Sequence, residues 1–276
     1  MRVCLMIEGQ DGVSWEQWRA LAATADEHGF EALFRSDHYE TLGGDEANKG
    51  SLDAWSTINA LAVITSTIRL GTLVSPATFR HPSVLARMAT TADHVSGGRV
   101  ELGIGAGWHE GEHVAFGFPF DTGRARFDRL EEQIEIVHRS WHEEPFDFDG
   151  RFYTLRGADA RPKPIQKPHP NLILGGSAKP RGAALAARWA DEYNTVYPSP
   201  DEARERRERI EAACQEVGRE MLTFSAMVPL EGTSAELART LGDLAEAGVE
   251  RVMLQHLAYG DLAAVERVGR EVIPAV

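Results

Sequence analysis

Arg99-Val100-Glu101-Leu102-Gly103-Ile104-Gly105-Ala106-Gly107-Trp108 is the stretch on which the reading of the chain turns. Residues 100–104 form a short apolar run of strand type, and glycines follow it without a break. Glycine there permits positive φ and a close approach of the backbone to a neighbour or a ligand. The run is not a dinucleotide fingerprint, because Trp108, His109 and Glu110 stand where a third glycine would be needed. Outward from it, in both directions, the same unit recurs: a short apolar run, then a longer amphipathic stretch.

Toward the N-terminus the strands read as 68–74, 31–36 and 2–7. Their helices are one begun by Pro82 and running to about Val95, one over 53–66 capped by Ser51 or Asp53, and one from Ser14 to about residue 28 with Gly29 as its stop. Toward the C-terminus, 124–141 is a strongly amphipathic helix. Residues 142–170, with five prolines, break the rhythm as a β-hairpin and an extended connection. Strands 172–174, 193–197, 222–228 and 251–254 follow, with helices 180–190, 201–217, 234–247 and 261–272. Eight strand–helix units predict an α/β fold, a (β/α)8 TIM barrel rather than an open sheet, with the hairpin and Pro-rich insertion before strand five. No linker divides the chain, so 1–276 is read as one domain.

Composition narrows the function. With 43% apolar and 26% charged residues the chain is of ordinary globular type, which excludes disorder, collagen and coiled coil. A net charge of −13 argues against nucleic acid or an anionic membrane as partner. Cys4 and Cys214 form no CxxC and no disulfide framework, as suits a reducing cytoplasm. The apolar run at 1–7 ends at Glu8, too short for a membrane span and without a signal cleavage site.

Barrel active sites lie at the C-terminal ends of the strands. Those ends carry Glu8, Asp37 and His38, Ser75 and Thr78, Gly105 to His109, Gly175 to Ser177, Tyr193 to Tyr197, Met227, and Gln255 with His256. Gly105, Ala106 and Gly107 either ease tight packing or form a surface for a planar or phosphorylated ligand. Gly175-Gly176-Ser177 before a helix can offer backbone N–H groups to a phosphate, with Lys179 and Arg181 adding charge. His38 is a candidate donor, with Asp37 orienting it, although such a pair can also be purely structural. His109-Glu110-Gly111-Glu112-His113 fits the zinc-protease string, but it follows a glycine run, contains Gly111 and has no third ligand nearby, so no metal is assigned.

Ser36-Asp37-His38-Tyr39, Gly71-Thr72-Leu73-Val74-Ser75, Phe79-Arg80-His81-Pro82, Ser96-Gly97-Gly98-Arg99, the glycine run at 103–107 and Gly175-Gly176 occur in that order. Together they resemble the luciferase-like flavin oxidoreductase superfamily, above all its branch using the deazaflavin coenzyme F420. The resemblance covers residues 1–197; beyond 200 the reading rests on periodicity. It implies a non-prolyl cis peptide at Leu73–Val74 behind the cofactor ring, Asp37 and His38 near the ring, and Gly105, Ala106 and Gly107 near the cofactor tail. It also implies a phosphate turn at Gly175, Gly176 and Ser177. One departure stands out: Trp108 occupies the position where deazaflavin-dependent sugar-phosphate dehydrogenases carry an acidic Glu, and it either lines the substrate pocket or packs as core.

The expected function is hydride transfer between noncovalently bound coenzyme F420 and a small organic substrate. Alternatives are an FMN-dependent monooxygenase, a non-catalytic flavin-binding protein, and a zinc hydrolase using His109 and His113. The resemblance also implies a homodimer through helices two and three. Trp55, Ile58, Leu61 and Ile64 permit this, although they equally suit a barrel-facing stripe. The loop at 43–50, with Gly pairs as hinges, suits a lid.

Overall fold

The computed structural model describes residues 1–42 and 48–276. The lid expectation rests on residues 43–47, which lie outside the described residues. Four parallel strands, β1 (Arg2–Ile7), β2 (Ala32–Arg35), β3 (Arg69–Pro76) and β4 (Val100–Gly105), precede an antiparallel hairpin of β5 (Phe146–Asp149) and β6 (Thr154–Ala158). Four more, β7 (Asn171–Gly175), β8 (Glu192–Val196), β9 (Thr223–Pro229) and β10 (Arg251–His256), complete the cylinder, and β10 pairs back onto β1. The eight-stranded parallel barrel and the hairpin insertion before its fifth strand are as the sequence predicts.

Helices surround it: α1 (Trp15–Glu27), α2 (Ala54–Ile64), α3 (Pro82–Ser96), α4 (Glu110–Phe116), α5 (Gly123–His142), α6 (Pro180–Trp189), α7 (Pro200–Glu216), α8 (Ser234–Glu246) and α9 (Leu262–Arg267). Ser14 closes a capping box with Gln17, and Asp53 rather than Ser51 caps α2. The last helix of the sequence reading divides into α9 and a π turn over Val268–Val272. Among the described residues no helix is long and apolar enough to cross a membrane.

Strand parity builds two cores. Val3, Leu5 and Ile7 point outward to the helices, whereas Cys4 and Met6 point inward with Ala32, Phe34, Ile173, Met227 and Met253. β1 is therefore apolar on both faces, as a strand covered on both sides must be. Below that inner layer the barrel is closed by charge. The buried Arg251 donates to Glu101 and Glu192, each at 2.7 Å, and to Glu31 at 2.6 Å. Burial pushes the Glu101 carboxyl up, but Arg251 and Arg69 outweigh it and hold the group down at about 2; burial leaves Glu192 raised.

One expectation needs correction. The glycine-flanked string at 109–113 was read as unfit for a helix, yet α4 forms there, with His109 as its cap and with buried Glu112 and His113 anchoring one turn. On α2 the barrel-facing alternative holds for three of the four apolar residues. Trp55, Ile58 and Leu61 are buried in the barrel-side core, and Ile64 is exposed.

Candidate active site

All eight barrel strands send residues to one cavity of about 430 Å³ at their C-terminal rim. That volume is within the roughly 300–1,000 Å³ usual for small-molecule and cofactor sites. Its floor is Leu73 and Val74, where the pairing of β3 with β4 shifts register between Thr72 and Ser75 and the Leu73–Val74 peptide is cis. The neighbouring strand is hollowed to receive this step. A Cβ on Gly103 would collide with the Thr72 carbonyl and lie 2.9 Å from Val74 Cγ1, and one on Gly105 would lie 2.8 Å from Val74 Cγ2. Gly105 is thus glycine because Val74 fills its side-chain space, and Gly103 because the Thr72 carbonyl and Val74 together fill its own. Gly107, with φ +78°, does line the cavity; Gly105 and Ala106 lie behind the lining.

His38 forms one wall. Its Nδ1 lies 2.8 Å from Glu112 Oε2, and the other Glu112 oxygen accepts from the Tyr39 amide. Burial alone would raise the Glu112 carboxyl. The bonds from His38 and Tyr39, with the charges of His38 and His109, more than offset this and the net shift is downward. An ionised carboxylate can only accept, so His38 Nδ1 carries the hydrogen and Nε2 is the ring atom left to meet a ligand. The orienting partner of His38 is therefore Glu112 and not Asp37. Successive side chains of an extended segment point to opposite sides. Asp37 accordingly turns into the protein, where it accepts from Ser75 Oγ at 2.7 Å and from both terminal nitrogens of Arg80. Arg80 reaches on to Asp53, the cap of α2, at 2.9 Å.

Glu112 escaped the sequence reading, although it sits inside the string weighed as a zinc motif. The structure assigns that string differently. His109 Nδ1 accepts from the Glu112 amide as helix cap. His113 Nδ1 lies 2.7 Å from the His109 carbonyl, so its Nε2 accepts from Thr78 Oγ1 at 2.6 Å. The two imidazoles do not turn free lone pairs toward a common point. Trp108 is 63% exposed, lines the cavity, and meets the His38 ring edge-on at 6.0 Å between centroids, so it is pocket wall rather than core.

Across the cavity Gly175 and Gly176 line the opening, and the chain passes through Ser177 into α6. Gly176 has φ +149°, and a Cβ on it would stand 3.0 Å from the Tyr193 hydroxyl. Ala178 also takes positive φ, and its amide donates to that hydroxyl at 2.8 Å. Among the described residues α6 is the one α-helix whose N-cap side chain makes no capping bond, and that residue is Lys179. A cation at the positive end of a helix whose start lacks a side-chain cap is a local arrangement that an anion would complete. On the remaining wall Gln255 donates to Glu8 at 2.7 Å, and the Tyr197 hydroxyl donates to Gln255.

A parallel barrel with one apolar-floored rim cavity, a carboxylate-backed histidine and an anion-ready turn defines a barrel of the cofactor-binding kind. The chain belongs to the luciferase-like monooxygenase family, whose model matches residues 3–267. It is 34% identical over 177 residues to the F420-dependent glucose-6-phosphate dehydrogenase of Nakamurella multipartita, covering 64% of this chain and 50% of that one. It is 29% identical over 255 residues to the FMNH(2)-dependent dimethylsulfone monooxygenase of Pseudomonas putida, covering 92% of this chain and 66% of that one. The chain thus spans between half and about two thirds of the length of these curated relatives. Among solved structures, an F420-dependent secondary alcohol dehydrogenase in complex with an F420-acetone adduct superposes with a TM-score of 0.88 at 19% identity, over 100% of this chain and 98% of that one. That likeness concerns the fold.

Proposed function

We propose that the chain is an oxidoreductase that binds the deazaflavin coenzyme F420 noncovalently and passes hydride between it and a small organic substrate. The observation that carries this is the pairing of Leu73 and Val74 as an apolar floor with a lysine-led helix start that lacks a side-chain cap, reached through Gly175, Gly176 and Ser177. A planar ring with a phosphorylated tail meets both demands at once. Bound F420 supplies a two-electron hydride carrier; the protein supplies orientation and a pocket poor in water. Leu73 and Val74 support one ring face. Gly107 edges the tail, while Gly105 and Ala106 act from behind the lining. Gly175, Gly176, Ser177 and Lys179 hold the phosphate.

His38 receives or gives a proton at Nε2, with Glu112 fixing the tautomer and Trp108 closing the water side. Asp37 is a positioning residue, tying β2 to β3 through Ser75 and Arg80. With Trp108 where an acidic residue would serve a sugar-phosphate dehydrogenase, the substrate class is an apolar or weakly polar molecule rather than a sugar phosphate. Alignment with an FMNH(2)-dependent monooxygenase over 92% of the chain favours a second reading, in which FMN takes the same seat and oxygen is the co-substrate. We also infer a cytoplasmic homodimer. Support comes from the unpaired, buried Cys4 and Cys214 and from exposed Val63 and Ile64 on α2 beside Val84 and Val95 on α3.

Parallel titration of the purified protein with F420 and FMN, followed by fluorescence quenching, tests the reading. Micromolar F420 binding with weak FMN binding supports it. The reverse order moves the protein to the monooxygenase side, and binding of neither refutes a cofactor role for the cavity.

A further inference from the structure

Three imidazoles meet at the opposite end of the barrel from the proposed cofactor cavity. His138 and His142 are one turn apart on α5, and His169 ends the Pro-rich connection just before β7. One nitrogen of each lies within 4.8 Å of those of the other two, and the ring centroids are 4.2, 4.9 and 5.2 Å apart. Among the described residues this is the one grouping of three metal-capable side chains.

Hydrogen bonds fix which nitrogens are free. His142 Nδ1 lies 2.8 Å from the His138 carbonyl, and His169 Nδ1 lies 2.8 Å from the Pro170 carbonyl. A carbonyl can only accept, so both Nδ1 atoms carry hydrogen and both Nε2 atoms hold an uncommitted lone pair. An Asp191 carboxylate oxygen stands 3.6 Å from His169 Nδ1, the outer carboxylate that commonly steadies a metal-bound histidine. Trp141 stacks on His169, and Trp189 leans against His138, so neither ring turns freely.

We propose that His138, His142 and His169 bind one divalent transition-metal ion of the zinc class through three imidazole nitrogens, with water completing the shell. An all-nitrogen set disfavours calcium and magnesium, which require oxygen ligands. Tetrahedral coordination at about 2.0–2.1 Å sets the nitrogens about 3.3 Å apart, so the three rings draw closer together when the ion binds. The ion joins the end of α5 to the last residues of the Pro-rich connection. It therefore clips the hairpin insertion to the barrel wall, far from the cavity, and acts on stability rather than on chemistry.

The test uses the full chain without a histidine tag, stripped with chelator. Cobalt titration is followed by its visible absorption, and zinc affinity by competition with a chromogenic chelator. One equivalent per chain is expected, with bound zinc raising the melting temperature. His142→Asn, at an exposed position that leaves the apo melting temperature unchanged, weakens binding by about 100-fold. His142→Cys, which restores a ligand, recovers it. The proposal is overturned if the wild-type chain takes up no metal, or if His142→Asn binds as tightly as the wild type.

Discussion

Lys179 at the head of α6 offers a substitution whose two effects have opposite signs. Lys179→Asp supplies the missing cap, about 1 kcal/mol, and reverses a charge at the positive end of the dipole, about 0.5–1 kcal/mol more. The apo protein therefore gains about 1.5–2 kcal/mol. With an unfolding entropy of about 2.1 cal/mol/K per residue over 276 residues, that gain raises the melting temperature by about 3 °C. The same aspartate occupies the amides and repels the phosphate proposed to lie there, so F420 binds at least about tenfold more weakly, or about 1.4 kcal/mol. Scanning calorimetry of the apo protein reads the first effect and fluorescence quenching the second. The phosphate-free deazaflavin core is the control, and its affinity stays unchanged. A variant that melts higher yet binds F420 undiminished removes the phosphate from this turn. One that melts no higher shows that the helix start was not wanting an anion.

Other consequences follow from the same geometry. Gly103→Ala drives a methyl group into the Thr72 carbonyl and Val74, and should lower stability by about 1–3 kcal/mol, read as a shift of the urea midpoint. Arg251→Met leaves Glu192 buried without its cation and Glu101 with Arg69 alone, and should destabilise by about 3–5 kcal/mol at pH 7. The pH dependence should reverse as well. In the wild type Glu101 lies below its ordinary value, so its contribution is complete above about 4.5 and is lost as pH falls toward 2. In the variant Glu192, raised by burial and no longer held down by Arg251, is raised further, and urea midpoints should increase from pH 7 to pH 5. Glu112→Ala should release His38 from its Nδ1–H form; nitrogen chemical shifts of the ring read the tautomer, and an unchanged ring would break the proposed link.

The barrel was legible because its signal is periodic. The eight barrel strands are each followed by a helix at spacings that local composition determines, and caps such as Ser14 and Asp53 are local chemistry. The site was legible as a set of strand ends but not as a set of partnerships. His38 and Glu112 are 74 positions apart, and Asp37 and Arg80 are 43 apart, so no short pattern announces either pair. Sequence adjacency instead suggested Asp37 as the partner of His38, and the alternation of an extended chain sends the two side chains opposite ways. The short helix α4 was missed because Gly111 lowers helix propensity, whereas burial of Glu112 and His113, which secures the turn, is a tertiary fact. For Gly105 packing and ligand contact were both open from the sequence, and its reason, like that of Gly103, proved to be packing, against Val74 and the Thr72 carbonyl.

That last fit constrains how the cavity can change over evolutionary time. With Val74 seated against the two missing side chains of β4, neither Gly103 nor Gly105 can gain a side chain alone, and at Gly103 the Thr72 carbonyl forbids one as well. The floor therefore cannot be built up from β4, whereas Trp108, Val196 and Tyr197 stand on the rim with room to vary singly. New substrates should therefore be reached by rebuilding the rim, with the seat beneath the cofactor inherited unchanged.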